Sequence, residues 1–543
     1  MRSLLTAGLV CGTALGGALM PACGKAPGEP PAPMTSAVPY AVAPAESASA
    51  FASASASASA FPSASASVSA SASGPLISTG RFLAWVYEKP RLDAPKAGWI
   101  RAGTRVVRSA EPLAGAGCKG KWWAVEPAGF VCEGQDGVTT DLEDKAVVAA
   151  AARPPDVTSP FPYGYATSNG APLYVRIPTK EQQQKLEGDV EAHLANVAKL
   201  RAKTPPDKLP PESALPVGPI PSFLENHAQV PNILPWNVPS GAVRVGEAWR
   251  TMRLSLLSAF ESEGRTFYLT TEHYIVPADR MRAARLADFQ GVHLAGPDEQ
   301  GEHLPMVWVR WKPARLHLLE NGKAVAKDHL MPFQAHAGIA KKERVIDGTK
   351  YFELLAPPAG VPEGTWLVRA EGTTKVDAAT ELPYDVGPDE RWIEVSIQRQ
   401  SLVLYQGLRP LFVTLVSTGV DVNGDPETSR ATPRGHYRIG NKHLSWRMAG
   451  DEKPPAKEGE QPDPRYRIDD VPYVQYFHGG YALHAAFWHD SFGNPKSHGC
   501  INLSPRDALW MFGQTEPKVP VGWHGVYSGR AGAAKGTTLI VHM

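Results

Sequence analysis

His484-Ala485-Ala486-Phe487-Trp488-His489-Asp490-Ser491-Phe492-Gly493, followed by Ser497-His498-Gly499-Cys500-Ile501-Asn502-Leu503, is the stretch that decides how this chain reads. It sets one cysteine among three histidines. Cys118 and Cys132 can pair with each other far upstream, so in an exported, processed chain Cys500 is the thiol left over. Such a thiol is buried, bonded to another chain, or used. A nucleophilic cysteine must be a thiolate, and with a pKa of ~8.5 the free side chain supplies little of it at pH 7 unless a base takes the proton. His484, His489 and His498 are the candidate bases. Gly499 lets the backbone bend closely at the nucleophile, where amide N–H groups can face a developing oxyanion. From these residues alone a catalytic cysteine, a zinc site of Cys500 with histidines, and an inert buried thiol all stay open.

Upstream, Ile393, Val395 and Ile397 alternate with less apolar residues, as do Leu402 and Leu404, then Leu411, Val413 and Leu415. Turns fall at Arg399-Gln400 and Gln406-Gly407, so the pattern predicts strands of an antiparallel sheet. They lead into Ser417-Thr418-Gly419, Thr432-Pro433-Arg434-Gly435 and Tyr473-Val474-Gln475-Tyr476-Phe477.

With these elements in order, residues 391–543 resemble the L,D-transpeptidase catalytic domain family, whose signature is a histidine followed by Ser/Thr-His-Gly-Cys-hydrophobic-Asn/Arg. Ala485 stands where that family often has glycine. The resemblance implies Cys500 as nucleophile and His484 as general base, with the carbonyl of Ala485 holding the imidazole tautomer. It implies that His498 lines the donor site and helps the oxyanion together with the amides of Gly499 and Cys500. Ser497 and Asn502 would hold the loop, and His489 would stand behind them. The implied reaction is acyl transfer on peptidoglycan stem peptides. Cys500 forms a thioester at the third residue, and an amine acceptor completes a cross-link, with no metal or organic cofactor. Water as acceptor gives an L,D-carboxypeptidase and a protein lysine gives attachment to the wall. Carbapenem-type β-lactams are the implied inhibitors. A non-catalytic wall-binding lipoprotein is the rival of another class. A serine penicillin-binding enzyme needs Ser-x-x-Lys and Lys-Thr-Gly, which the sequence lacks, and it lacks the His-Glu-x-x-His of a zinc peptidase.

The rest of the 543 residues concerns address and scaffold. Lys and Arg number 55 against 54 Asp and Glu, so no basic field invites nucleic acid. Arg2 precedes an uncharged, apolar, glycine-broken run, which reads as a secretory signal over 1–23. Leu19-Met20-Pro21-Ala22-Cys23 resembles a lipobox, making Cys23 the lipidation candidate. The expected address is the periplasm or cell envelope, on the outer membrane by a lipid anchor only. Residues 24–76 are low complexity, with 12 Ser and 11 Ala in the 27 positions from Ser47 to Ser73, and cannot build a core. A tether of about 50 residues has a coil dimension on the order of 40 Å.

Residues 77–140 alternate short apolar runs with turns and predict a small β module, which resembles Src-homology-3-like modules of wall enzymes. Cys118 and Cys132 within it read as a disulfide. Over 141–240, Thr179-Lys180-Glu181-Gln182 predicts a capping box opening one helix to about Lys203. A spacer with 10 prolines in the 37 residues from Thr204 to Ser240 follows. Residues 241–390 read as a β-rich module, with a second barrel over 307–376. The expected fold is thus mainly β, a C-terminal L,D-transpeptidase-type β-sandwich over 391–543 behind one or two small barrels and a helical, proline-rich region.

Overall fold

Ile393 and Val395 lie in the strand Arg391–Ser396, and Leu402 and Leu404 in Ser401–Gln406. The two strands pair antiparallel with Ile393 opposite Leu404 and Val395 opposite Leu402. This comes from a computed structural model that describes residues 74–209, 213–234, 238–449 and 467–543, within the unit Ser69–Met543. Cys23, the signal segment and the Ser/Ala run lie outside the described residues. Arg409–Leu415 extends the sheet on one side, and Thr538–His542, parallel to Arg391–Ser396, on the other. Val292–His293 and Gly435–Arg438 complete six strands.

Successive strand side chains face opposite ways, and here both faces are covered. Ile393, Val395, Leu402 and Leu404 enter a core with Tyr473, Leu483, Ile501, Leu503 and Met511. Trp392, Val403, Tyr405 and Val413 enter another with Phe289, Trp308 and Phe492. The helix Pro505–Gln514 closes the first core. Ser504 caps its start by accepting from the amide of Asp507, and proline takes its first turn, where no amide is needed. At its other end the fully buried Lys442 Nζ donates to the carbonyls of Phe512 and Thr515 at 2.6 and 2.9 Å, satisfying acceptors the helix leaves open.

Strand pairing crosses the expected segment boundaries at 140, 240 and 390. Residues 76–139 form short strands around Ile77, Val86, Ile100 and Val131, but Trp523 shares that core and Trp99 pairs with Gly525. The region 141–240 is more than helix and spacer. Gly164–Ser168 pairs with Arg253–Ser262, and Ala171–Tyr174 with Arg244–Ala248, because Tyr165, Ala166, Ala171 and Tyr174 have apolar side chains to bury. The single helix expected to follow Thr179 is two, Lys180–Glu187 and Val190–Lys203. Thr179 makes the capping box, but Gly188 takes the left-handed conformation (φ 78°) that ends a helix. Leu200 stays 67% exposed, so the apolar spacing of the second helix marks no buried face. The region 241–390 also divides. Its first strands join the sheet with 164–174, Val292–His293 joins the C-terminal sheet, and 306–376 closes on its own core of Val307, Val309, Leu316, Phe352, Trp366 and Val368.

Candidate active site

His484 lies in the strand Tyr481–Ala485, whose parallel neighbour is Ile501–Leu503. The register puts His484 opposite Asn502, two residues past Cys500. The pairing therefore brings the two halves of the decisive stretch side by side. His484 and Cys500 are 2% and 8% exposed. His484 Nδ1 lies 2.9 Å from the carbonyl of Ala485. A carbonyl only accepts, so Nδ1 carries the ring proton and Nε2 keeps its lone pair. Any residue at 485 supplies that carbonyl, which is why alanine serves there as well as glycine.

The turn into Cys500 is held from within. Ser497 Oγ donates to the carbonyl of Cys500 at 2.5 Å and accepts from the amide of Gly499 at 3.0 Å. In this structure the Gly499 amide is engaged by Ser497 Oγ. Glycine is required at 499 for another reason. Its φ is 110°, and a Cβ would lie 2.5 Å from the Tyr481 ring and 2.8 Å from the carbonyl of Ala431. Cys500 Sγ lies 3.8 Å from the carbonyl of Gly480.

Further support comes from Ser417-Thr418-Gly419 and Thr432. Ser417 and Asn502 exchange backbone hydrogen bonds of 3.0 and 2.9 Å, and the Thr418 carbonyl accepts from the amides of Lys496 and Ser497. The Gly419 amide donates to Thr432 Oγ1 at 2.9 Å, and the Gln400 side chain binds both the amide and the hydroxyl of Thr418. Neither element's task shows in the sequence, and Gln400, placed at a turn by sequence, is fully buried. A buried glutamine at a turn leaves no periodic signal in a sequence.

His489 does not join the nucleophile directly. Its Nε2 lies 3.1 Å from the side-chain amide of Asn502, and its Nδ1 accepts from the amide of Ser491. Burial, aided by the charges of Lys496, His484 and Arg253, pushes it down to about 4, so the ring is neutral at physiological pH. His498 is exposed next to the buried Ser497 and Gly499. Cys118 and Cys132 are joined as a disulfide remote in sequence from this site.

The site thus sets a histidine in the strand Tyr481–Ala485 and a cysteine directly before its partner Ile501–Leu503, two paired strands that pack against the core of the six-stranded sheet, and residues 390–522 match the model of the L,D-transpeptidase catalytic domain family. Among curated proteins, the "Putative L,D-transpeptidase YciB" of Bacillus subtilis (strain 168) is 24% identical over 159 residues, covering 27% of this chain and 73% of that protein. Among solved structures, a mutant L,D-transpeptidase of Enterococcus faecium aligns at 22% identity and TM-score 0.20 over 28% of this chain; the chain spans 49% of that enzyme's length. L,D-transpeptidase 3 of Mycobacterium tuberculosis, solved with a faropenem-derived adduct, aligns at 18% identity and TM-score 0.21, covering 36% of this chain and 91% of that one.

Proposed function

We propose that this protein is a peptidoglycan L,D-transpeptidase working through a thioester on Cys500. The observation that carries the reading is the fixed imidazole of His484, with Nδ1 tied to Ala485 and Nε2 left to accept a proton, in register with the strand that begins directly after Cys500. The Cys500 proton passes to His484, and the thiolate attacks the carbonyl carbon of the third stem residue. The terminal D-alanine leaves as its amine, taking that proton, and the acyl group stays on sulfur. An acceptor amine then attacks the thioester carbonyl, loses its proton to His484, and releases the thiol with a new amide bond formed. Ser497, Gly499 and Asn502 keep the turn in the shape that presents sulfur.

Mass spectrometry of muropeptides after incubation with the full chain tests this. Cross-links between two third residues are expected. Tripeptides alone would mark water as acceptor, protein-linked stems would mark attachment, and unchanged muropeptides would leave a wall-binding protein. Carbapenems should add once per chain at Cys500, because a strained β-lactam carbonyl meets the same thiolate.

The address is proposed on sequence alone. Cys23 is acylated and becomes the first residue of the mature chain, and Gly24 in place of aspartate favours the outer membrane. Membrane fractionation with N-terminal mass analysis checks it, and a water-soluble chain with an unmodified N-terminus would refute it.

A further inference from the structure

We propose that the β module 306–376 is a positioning element for the catalytic loop, gripping it through Arg310 and Gln334, so that acylation of Cys500 depends on residues outside the catalytic domain. This rests on Cys500 being the acylated group.

Arg310 is 9% exposed, and its Nε donates to the carbonyl of Gly493 at 2.7 Å while Nη1 donates to that of Gln398 at 2.8 Å. Burial lowers it to about 10, so it remains a cation at neutral pH, and among the described residues it makes no ion pair within 4.0 Å. A desolvated cation given backbone carbonyls and the face of the Trp311 ring, 5.0 Å away, but no counter-charge is costly. What it gains is a tie between two separate segments, the turn after Ile397 and the loop before Ser497. Gln334 adds a second grip, its Nε2 donating to the carbonyls of Asp490 and Phe492 at 2.8 and 3.1 Å. Asn494 Nδ2 donates back to the carbonyl of Arg310 at 3.2 Å.

Both gripped segments lead to the nucleophile. From Gln398 the chain runs to Gln400, which holds Thr418, whose carbonyl holds the amide of Ser497. From the other side, ring contacts run from Trp308 to Phe289 (5.9 Å), to Phe492 (5.5 Å) and to His489 (4.9 Å). His489 touches Asn502, the register partner of His484. A displaced loop thus moves Ser497 and Asn502 together. Misplacement of reacting groups by ~1 Å can cost ~100-fold in rate.

The test is the rate of Cys500 acylation by a carbapenem, read by intact mass on the full chain from about pH 6 to 9, with melting followed in parallel. Arg310→Met should slow acylation between about 10- and 100-fold, and Gln334→Ala about 3- to 10-fold. Neither should move the midpoint of the pH profile, because thiol and base are kept. Arg310→Lys should recover part of the rate, since an ammonium still reaches a carbonyl. Val368→Ala, fully buried in the module's own core, should lower melting yet keep the parental rate. Parental rates in both Arg310→Met and Gln334→Ala would overturn the proposal, as would a slowing in Val368→Ala equal to that in Arg310→Met. If Arg310→Met does not fold, Gln334→Ala, at a half-buried position, decides alone. A parent chain that takes no adduct overturns the reading of Cys500 itself, a result distinct from equal rates in parent and variants.

Discussion

Cys500→Ser should leave melting unchanged and bring thioester formation with a tetrapeptide donor close to zero, since an alkoxide is far harder to generate near neutral pH than a thiolate. His484→Gln should cost about 10²- to 10⁴-fold, the usual worth of a positioned general base. Gln at 484 can still hold a hydrogen bond but cannot take a proton. The deficit should shrink toward pH 9, where thiolate forms unaided. His489→Gln should cost much less, because His489 is neutral and hydrogen-bonds Asn502 and the backbone. The opposite ranking, with His484→Gln acylating normally and His489→Gln inactive, would move the base to His489.

The C-terminal sheet was legible because its strands alternate. Ile393, Val395, Leu402 and Leu404 all reach one core, and the turns fall where polar residues and glycine interrupt them. What alternation hid was the second face: Val403 and Tyr405 are as buried as their neighbours, so this antiparallel sheet is covered on both sides rather than open to water on one. The covering residues Phe289 and Trp308 lie more than 80 positions earlier, a distance over which no local period carries information. The same limit hides the pairing that crosses the expected boundaries. Short strands with small and polar residues, such as Gly164–Ser168, resemble spacer until their partners, near residue 255, are known.

The site was legible in its side chains and less so in its supports. His484, Ser497, Cys500 and Asn502 announce themselves by residue type and order. The hydrogen bond that closes the turn from the Gly499 amide to Ser497 Oγ is a geometry that residue type alone does not dictate. Arg310 and Gln334 left no signal, since an arginine that binds carbonyls looks like any surface arginine in a sequence.

A large stability effect is expected at Asp470. Its carboxylate is 2% exposed and receives both Nη atoms of Arg101, the second at 2.9 Å, with Ser255 and Thr271 at 2.6 Å and Ser445 at 2.7 Å. These donors come from the 77–140 segment, from the strand Arg253–Ser262 and its neighbourhood, and from the strand Asn441–Ala449, so one acid ties three parts of the chain. Burial alone would raise its pKa. The charge of Arg101 and the hydrogen bonds from Arg101, Ser255 and Thr271 outweigh burial and hold it well below the usual carboxylate range. Asp470→Ala strands Arg101 without its counter-charge, and breaking a buried pair in this way costs about 3–5 kcal/mol. Asp470→Leu combined with Arg101→Met should recover much of that loss, because two apolar groups need no partner. The pH dependence has a definite sign. With the folded pKa depressed, the contribution is full above the unfolded value of ~3.9 and fades as pH falls through the lower folded value. The gap between parent and Asp470→Ala should therefore be wide from neutral pH down to about 4 and narrow only in stronger acid. Urea unfolding of the full chain at several pH values measures it. A gap under about 1 kcal/mol at pH 7 would show that the three segments hold together without this acid.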